Sequence, residues 1–256
     1  CKLAREPSLR RVVAGKLARN WSPAQISGWL RSEYPGEKRM NISHETIYLT
    51  LFVQARGALK KELQTHLRSS RGLRRGRKAT NAGQSRGQIV DAISIRERPA
   101  EVEDRAVPGH WEGDLVFGTE RTQIATLVER HSRFAMLVKL DGRDATTVAK
   151  ALVRHIRKLP IELRRSLTWD RGPELAKHKE ITLATTMKIY FCDPRSPWQR
   201  GSNENTNGLL RQYFPKGKPI DHSQAVLNKV ARELNSRPRK TLEFRTPAAV
   251  LADALR

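Results

Sequence analysis

The sequence is poor in cysteine: Cys1 and Cys192 are its two examples in 256 residues. Two cysteines so far apart supply neither a disulfide framework nor the paired spacing of a structural zinc site, which points to a reducing, intracellular setting. Long apolar runs are lacking as well. No segment approaches the ~18 apolar residues a membrane-spanning helix needs, so a membrane is not an expected partner. No basic-then-apolar leader opens the chain, which starts at Cys1 rather than methionine, as a fragment or trimmed chain would. No internal repeat is visible. Acidic residues are scarce too, with 26 Asp/Glu against 49 Lys/Arg and a net charge of +23.

That imbalance selects polyanionic partners, because Lys and Arg that contact phosphates release counterions from nucleic acid. It is also uneven. Residues 1–88 hold 19 Lys/Arg against 5 Asp/Glu, a net of +14 of the +23. A DNA-handling module is therefore expected ahead of a more balanced domain. The length and the 38% hydrophobic content allow one sizeable core plus that smaller module.

Ser22-Pro23-Ala24-Gln25 combines an N-cap serine, proline at the first helical position and glutamine three residues after the cap. Ile26, Trp29 and Leu30 continue as the stripe of a short amphipathic helix, ended by Tyr34-Pro35-Gly36. Ser43 can cap a second helix from His44 to about Val53, with Ile47 and Leu51 inward. Two such helices fit a helix-turn-helix over about 22–53, within a helical DNA-binding module of residues 1–67. Residues 68–105 read as a basic linker in which Arg71, Arg74, Arg75, Arg77 and Lys78 can track phosphates.

Beyond Pro108 the pattern turns to strands at Trp111–Phe117, Gln123–Val128 and Phe134–Leu140. A helix over Ala145–Lys158, a strand at Ser166–Trp169, a helix over Glu174–Leu183 and a strand at Lys188–Phe191 follow. A helix capped by Ser202 and running to about Tyr213 comes next. Three hairpin-linked strands followed by alternating units imply an α/β fold, a mixed sheet with helices on its faces, over residues 106–220. Residues 221–256 add C-terminal helices at Ser223–Leu234 and Pro247–Leu255.

Three acids fall where that topology gathers them. Asp114 lies in an apolar strand, where a carboxylate is costly unless paired or bound to a cation. Asp170 ends a strand, the place where ligands collect in open α/β sheets. Glu204 opens the late helix, whose Asn, Gln and Gly content favours close contact with something polar over simple solvation. Clustered carboxylates repel, and a hard divalent cation such as Mg²⁺ removes that conflict. Two such ions support in-line displacement at phosphorus. Glu112, two residues before Asp114, shares its face and is a candidate auxiliary ligand; Glu174, with His178, is a candidate to orient the Asp170 loop. Each reads more readily as an exposed salt-bridge residue.

Gly109-His110-Trp111-Glu112-Gly113-Asp114, Leu167-Thr168-Trp169-Asp170-Arg171-Gly172-Pro173-Glu174-Leu175-Ala176 and Ser196-Pro197-Trp198-Gln199-Arg200-Gly201-Ser202-Asn203-Glu204-Asn205 resemble the catalytic blocks of IS30-family insertion-sequence transposases. These belong to the wider DDE transposases and retroviral-type integrases, and the resemblance spans about residues 20–250. It implies a ribonuclease H-like core, Asp114, Asp170 and Glu204 as catalytic and metal-binding triad, and Mg²⁺ or Mn²⁺, two ions, as cofactor. Arg211, seven residues after Glu204, matches a basic residue expected at the DNA. Arg200, Lys216 and His44 are further candidate DNA contacts. Double-stranded DNA (element ends and target), a homodimer or larger assembly on it, and a bacterial cytoplasmic, nucleoid-associated location follow as expectations. Arg171 departs from the asparagine of many relatives. Such transposases usually carry a further N-terminal helix-turn-helix, so the start at Cys1 reads as late. A transposase-derived DNA-binding regulator without catalysis and a ribonuclease H-like nuclease are the alternative readings.

Overall fold

Whether a basic chain can build a sheet around acids depends on where its apolar residues fall. The computed structural model describes residues 2–52, 66, 89, 91–103 and 105–256. The stretch carrying Arg71, Arg74, Arg75, Arg77 and Lys78 lies outside them. The chain divides into two units, residues 1–82 with 236–249, and residues 83–235 with 250–256.

In the first unit, α1 (Lys2–Arg5) and α2 (Pro7–Ala18) precede the two expected helices, α3 (Pro23–Glu33) and α4 (His44–Phe52). Leu9, Val13 and Leu17 repeat at four-residue spacing on α2 and are fully buried with Ile26, Leu30 and Ile47. The Ser22/Gln25 capping box forms in full: Gln25 N donates to Ser22 Oγ at 3.2 Å, and Ser22 N to Gln25 Oε1 at 2.9 Å. Ser43 Oγ caps α4 by accepting from Thr46 N at 3.2 Å. The outward residues of α4 are His44, Glu45, Tyr48, Leu49 and Phe52, with no Lys or Arg among them.

In the second unit, β1 (His110–Phe117), β2 (Gln123–Glu129), β3 (Ala135–Lys139), β4 (Ser166–Trp169) and β5 (Lys188–Phe191) form one sheet in the order β3-β2-β1-β4-β5. β1, β2 and β3 pair antiparallel, whereas β4 and β5 join parallel to β1. This is the mixed sheet expected. The helices are α5 (Ala145–Ile156), α6 (His178–Thr185), α7 (Gly201–Leu210) and α8 (Gln224–Asn235); α9 spans Pro247–Asp253.

Strand alternation sends Trp111 and Leu115 of β1, Ala125 and Leu127 of β2 and Val138 of β3 to a core shared with Val148, Leu152 and Ile156 of α5. Val116, Ile124 and Leu137 point the other way, into a core with Leu209 and Leu210 of α7 and Leu227 and Leu234 of α8. α8 also satisfies edge strand β3. Asn235 bonds both the N–H and the carbonyl of Ala135, at 2.8 and 2.9 Å, and Gln224 does the same for Lys139 N and Leu137 O. An edge with paired backbone groups no longer templates another strand. The C-terminal helices thus do not act as one piece: α8 belongs to the sheet unit, and residues 236–249 to the helical one.

Candidate active site

The site grows from β1. Its residues His110, Glu112, Asp114 and Val116 face the α7 side, and Trp111, Gly113 and Leu115 the α5 side. Gly113 is needed there, since a Cβ would lie 2.1 Å from the Trp169 ring. β4 pairs with β1 through Trp111↔Leu167 and Glu112↔Thr168. Two residues further along the same register, Asp170 emerges beside Asp114.

The two aspartates share one cation. Arg200 Nη1 lies 3.0 Å from Asp114 Oδ1, and its Nη2 lies 3.6 Å from Asp170 Oδ2. Nη1 also donates to the Gly113 carbonyl at 2.8 Å. Asn207 Nδ2 of α7 donates to the other Asp114 oxygen at 2.9 Å. Burial raises the pKa of Asp114 above the ordinary carboxylate range; the Asp170 charge adds to the rise, and the Arg200 guanidinium opposes it.

Arg200 ends a 3-10 turn, Pro197–Arg200, that runs directly into α7. Glu204 lies four residues after Arg200 and three before Asn207. Both of those neighbours touch Asp114, and Glu204 lies between them in sequence, in the first turn of α7. Its side chain is exposed. Among the described residues, no three His, Cys, Asp or Glu already form a ligand cluster. Two carboxylates converging on one cation, with a third acid on the adjoining helix, suit Mg²⁺, which takes one or two carboxylates and fills its shell with water and phosphate oxygens.

Several expected residues sit elsewhere. Ser202 does not cap the helix; it lies inside α7, and its hydroxyl accepts from Arg133. The cap comes from β1 instead. Glu112 Oε2 accepts from the backbone N–H of Ser202 at 2.9 Å and of Asn203 at 3.0 Å, while Oε1 pairs with Arg130 Nη1 at 3.1 Å. Glu112 is therefore neither an exposed salt-bridge residue nor an available ligand: its exposure is 0%. Arg200, expected at a DNA surface, is 8% exposed and held by the aspartates. Arg211 donates to the carbonyls of Phe117 and Phe214 at 3.2 and 3.4 Å, closing the end of α7 over β1. Lys216 stands exposed in the following loop. His44 begins α4, its Nε2 2.9 Å from Glu45. Glu174 lies in a 3-10 turn and accepts from Trp169 Nε1 at 3.1 Å, bracing the loop after Asp170. His178 is buried edge-on against Phe191.

The polar content of α7 also finds its partner. Asn203 Nδ2 donates to the carbonyls of Glu112 and Thr126, and Thr126 Oγ1 donates to Asn203 Oδ1 at 2.8 Å and Asn207 Oδ1 at 3.0 Å. The something polar that α7 contacts is the sheet itself. Thr126, Arg130, Asn203 and Asn207 were not anticipated individually; the four-residue spacing of the two asparagines was the available signal.

The mixed five-stranded sheet flanked by helices is that of an integrase core, and the integrase core domain family model matches residues 104–197. Over 254 residues the chain is 52% identical to "Transposase InsI for insertion sequence element IS30A" of Escherichia coli strain K12, covering 98% of this chain and 66% of that protein. It is 45% identical over 256 residues to "Transposase for insertion sequence element IS1086" of Cupriavidus metallidurans, 99% of this chain and 75% of that protein. To the corresponding IS4351 protein of Bacteroides fragilis it is 40% identical over 246 residues, 94% and 72% of the two chains. The chain belongs to the IS30 family of insertion-sequence transposases. It spans just under two thirds of the length of the IS30A protein. No helix among the described residues is long and apolar enough to cross a membrane.

Proposed function

We propose that this chain carries the catalytic part of a DNA transposase, a metal-dependent polynucleotidyl transferase of the DDE type acting in the bacterial cytoplasm. The observation that carries the reading is the convergence of Asp114 and Asp170 on one guanidinium, at 3.0 and 3.6 Å, beneath the helix that bears Glu204. Like charges side by side in a half-buried site need a counter-charge, which Arg200 supplies here and a divalent ion could take over. Family membership supports the same roles.

One or two Mg²⁺ or Mn²⁺ ions, when bound, would supply a lowered water pKa and a counter-charge for the departing oxygen. Asp114 from within β1, Asp170 from the end of β4 and Glu204 from α7 would hold them. Asn207 fixes the Asp114 carboxylate plane through its 2.9 Å hydrogen bond. Arg200, which now bridges the aspartates, would be free to pair with a phosphate of the DNA once an ion took its place. The fold's surplus of Lys and Arg holds the duplex, while its few acids hold the ions. The strand is hydrolysed at the element end, and the freed 3′ hydroxyl then attacks target DNA. Two ends must be joined, which calls for a homodimer or larger assembly on DNA.

The test is cleavage of labelled element-end DNA in Mg²⁺ or Mn²⁺. Asp114→Ala, Asp170→Ala and Glu204→Ala should each lower the rate by ~10³-fold or more while leaving DNA affinity unchanged. Activity surviving in all three single variants would end the proposal. DNA binding by the wild type with no metal-dependent nicking would favour a regulator derived from a transposase, and cleavage of plain hybrid duplex without strand transfer a ribonuclease H-like nuclease.

A further inference from the structure

We propose that Glu112 is a positioning residue, which sets the start of α7 and thereby the reach of Glu204 to the two aspartates. The inference rests on the triad reading above and assigns Glu112 a role distinct from metal ligation.

The geometry is specific. A helix start leaves N–H groups without partners, and α7 has no side-chain cap of its own. Glu112 holds Ser202 N and Asn203 N on one oxygen and Arg130 on the other, with no exposed surface. The next residue along the helix is Glu204. Two residues along the strand from Glu112 is Asp114. One carboxylate therefore ties the segment bearing one acid of the triad to the strand bearing another, across 90 residues of sequence. A stretched strand and a hydrogen-bonded helix are both stiff, so the tie fixes a distance rather than merely adding a contact. Asn203 repeats the tie from the helix side by donating to the Glu112 carbonyl at 2.9 Å.

Energetics point the same way. A buried ion pair is weak support for stability, since apolar residues of equal volume often serve as well or better. A leucine at 112 with a methionine at 130 would fill the space without ions to desolvate. Neither could hold two N–H groups in place. What the acid uniquely provides is the position of the helix.

The experiment uses this chain and Mn²⁺ alone, followed by titration calorimetry without DNA and by circular dichroism to verify folding. Glu112→Gln keeps an acceptor oxygen and should bind Mn²⁺ within a few-fold of wild type. The pair Glu112→Leu with Arg130→Met removes both charges, so it leaves no unpaired ion to prevent folding. It should weaken Mn²⁺ binding ~10–100-fold, the usual loss when a support of a ligand is removed. Added to Glu204→Ala, the same pair should produce no further loss, because the effect runs through Glu204. Wild-type Mn²⁺ affinity in the folded Leu/Met variant would overturn the proposal, as would a loss that adds in full to that of Glu204→Ala. Failure of the triad reading looks different: the wild type would bind no Mn²⁺, or Asp114→Ala would bind it normally.

Discussion

The two faces of the sheet are built on opposite terms. Against α5, Trp111, Leu115, Ala125, Leu127 and Val138 meet Val148, Leu152 and Ile156 in an apolar core with no ion to satisfy. Against α7, the same strands present Glu112, Asp114 and Thr126 to Ser202, Asn203 and Asn207, and a chain of hydrogen bonds replaces close apolar packing until Val116 and Leu210 resume it. The first face holds the sheet together by area removed from water, which is tolerant of shape. The second holds it by directed bonds, which are tolerant of nothing but fix atoms in place. Phosphoryl chemistry needs the second kind. The acids of the site lie at the end of the seam where those directed bonds open to solvent.

The comparison breaks first at Arg130. Arg130→Met leaves Glu112 buried with its helix N–H groups but no cation, and should cost about 3–5 kcal/mol in urea unfolding. A loss under about 1 kcal/mol would mean that the α7 face does not depend on its ion pair. On the other face, Leu152→Ala should cost about 2–5 kcal/mol by opening a cavity in a fully buried position. Where the variants remain folded, Leu152→Ala should leave Mn²⁺ affinity unmoved whereas Glu112→Leu with Arg130→Met should weaken it. Equal metal affinities would erase the distinction between the faces.

How far this division was legible beforehand depends on whether its signals are local. The succession of strands and helices, the mixed sheet and the placing of Asp114, Asp170 and Glu204 on strand, strand end and helix could all be read, because alternation and caps act within a few residues. The α3 capping box of Ser22 and Gln25 was read for the same reason. α2 carries equally local signals, Pro7 at its first position and the Leu9, Val13, Leu17 spacing. The start of α7 was not legible. Ser202 looks like a cap by every local rule, yet the real one reaches in from Glu112 on β1. Arg200 shows the same limit: in a chain of net charge +23 an arginine reads as a DNA contact, and the two carboxylates that close on it come from other parts of the chain.

The smallest effect is expected at His110, on the α7 face of β1. Its Nδ1 lies 2.7 Å from Ser166 Oγ, and burial pushes its pKa down to about 4 from 6.5, with Glu101 opposing. Because the unfolded chain takes up the proton first, stability should be full above about pH 6.5 and decline as pH falls toward about 4. Comparing unfolding midpoints at pH 7 and pH 5 for the wild type and His110→Gln should show a smaller drop in the variant. An identical drop would place the titrating group elsewhere.

The central claim is that Asp114 and Asp170 form a cation site now bridged by Arg200. The most direct measurement is anomalous scattering from a crystal of this chain soaked in Mn²⁺. A peak about 2.1 Å from an oxygen of each aspartate, with Arg200 withdrawn from between them and Glu204 turned toward the ion, is the predicted result. Arg200 still seated between the two carboxylates at saturating Mn²⁺, with no density beside them, would contradict it.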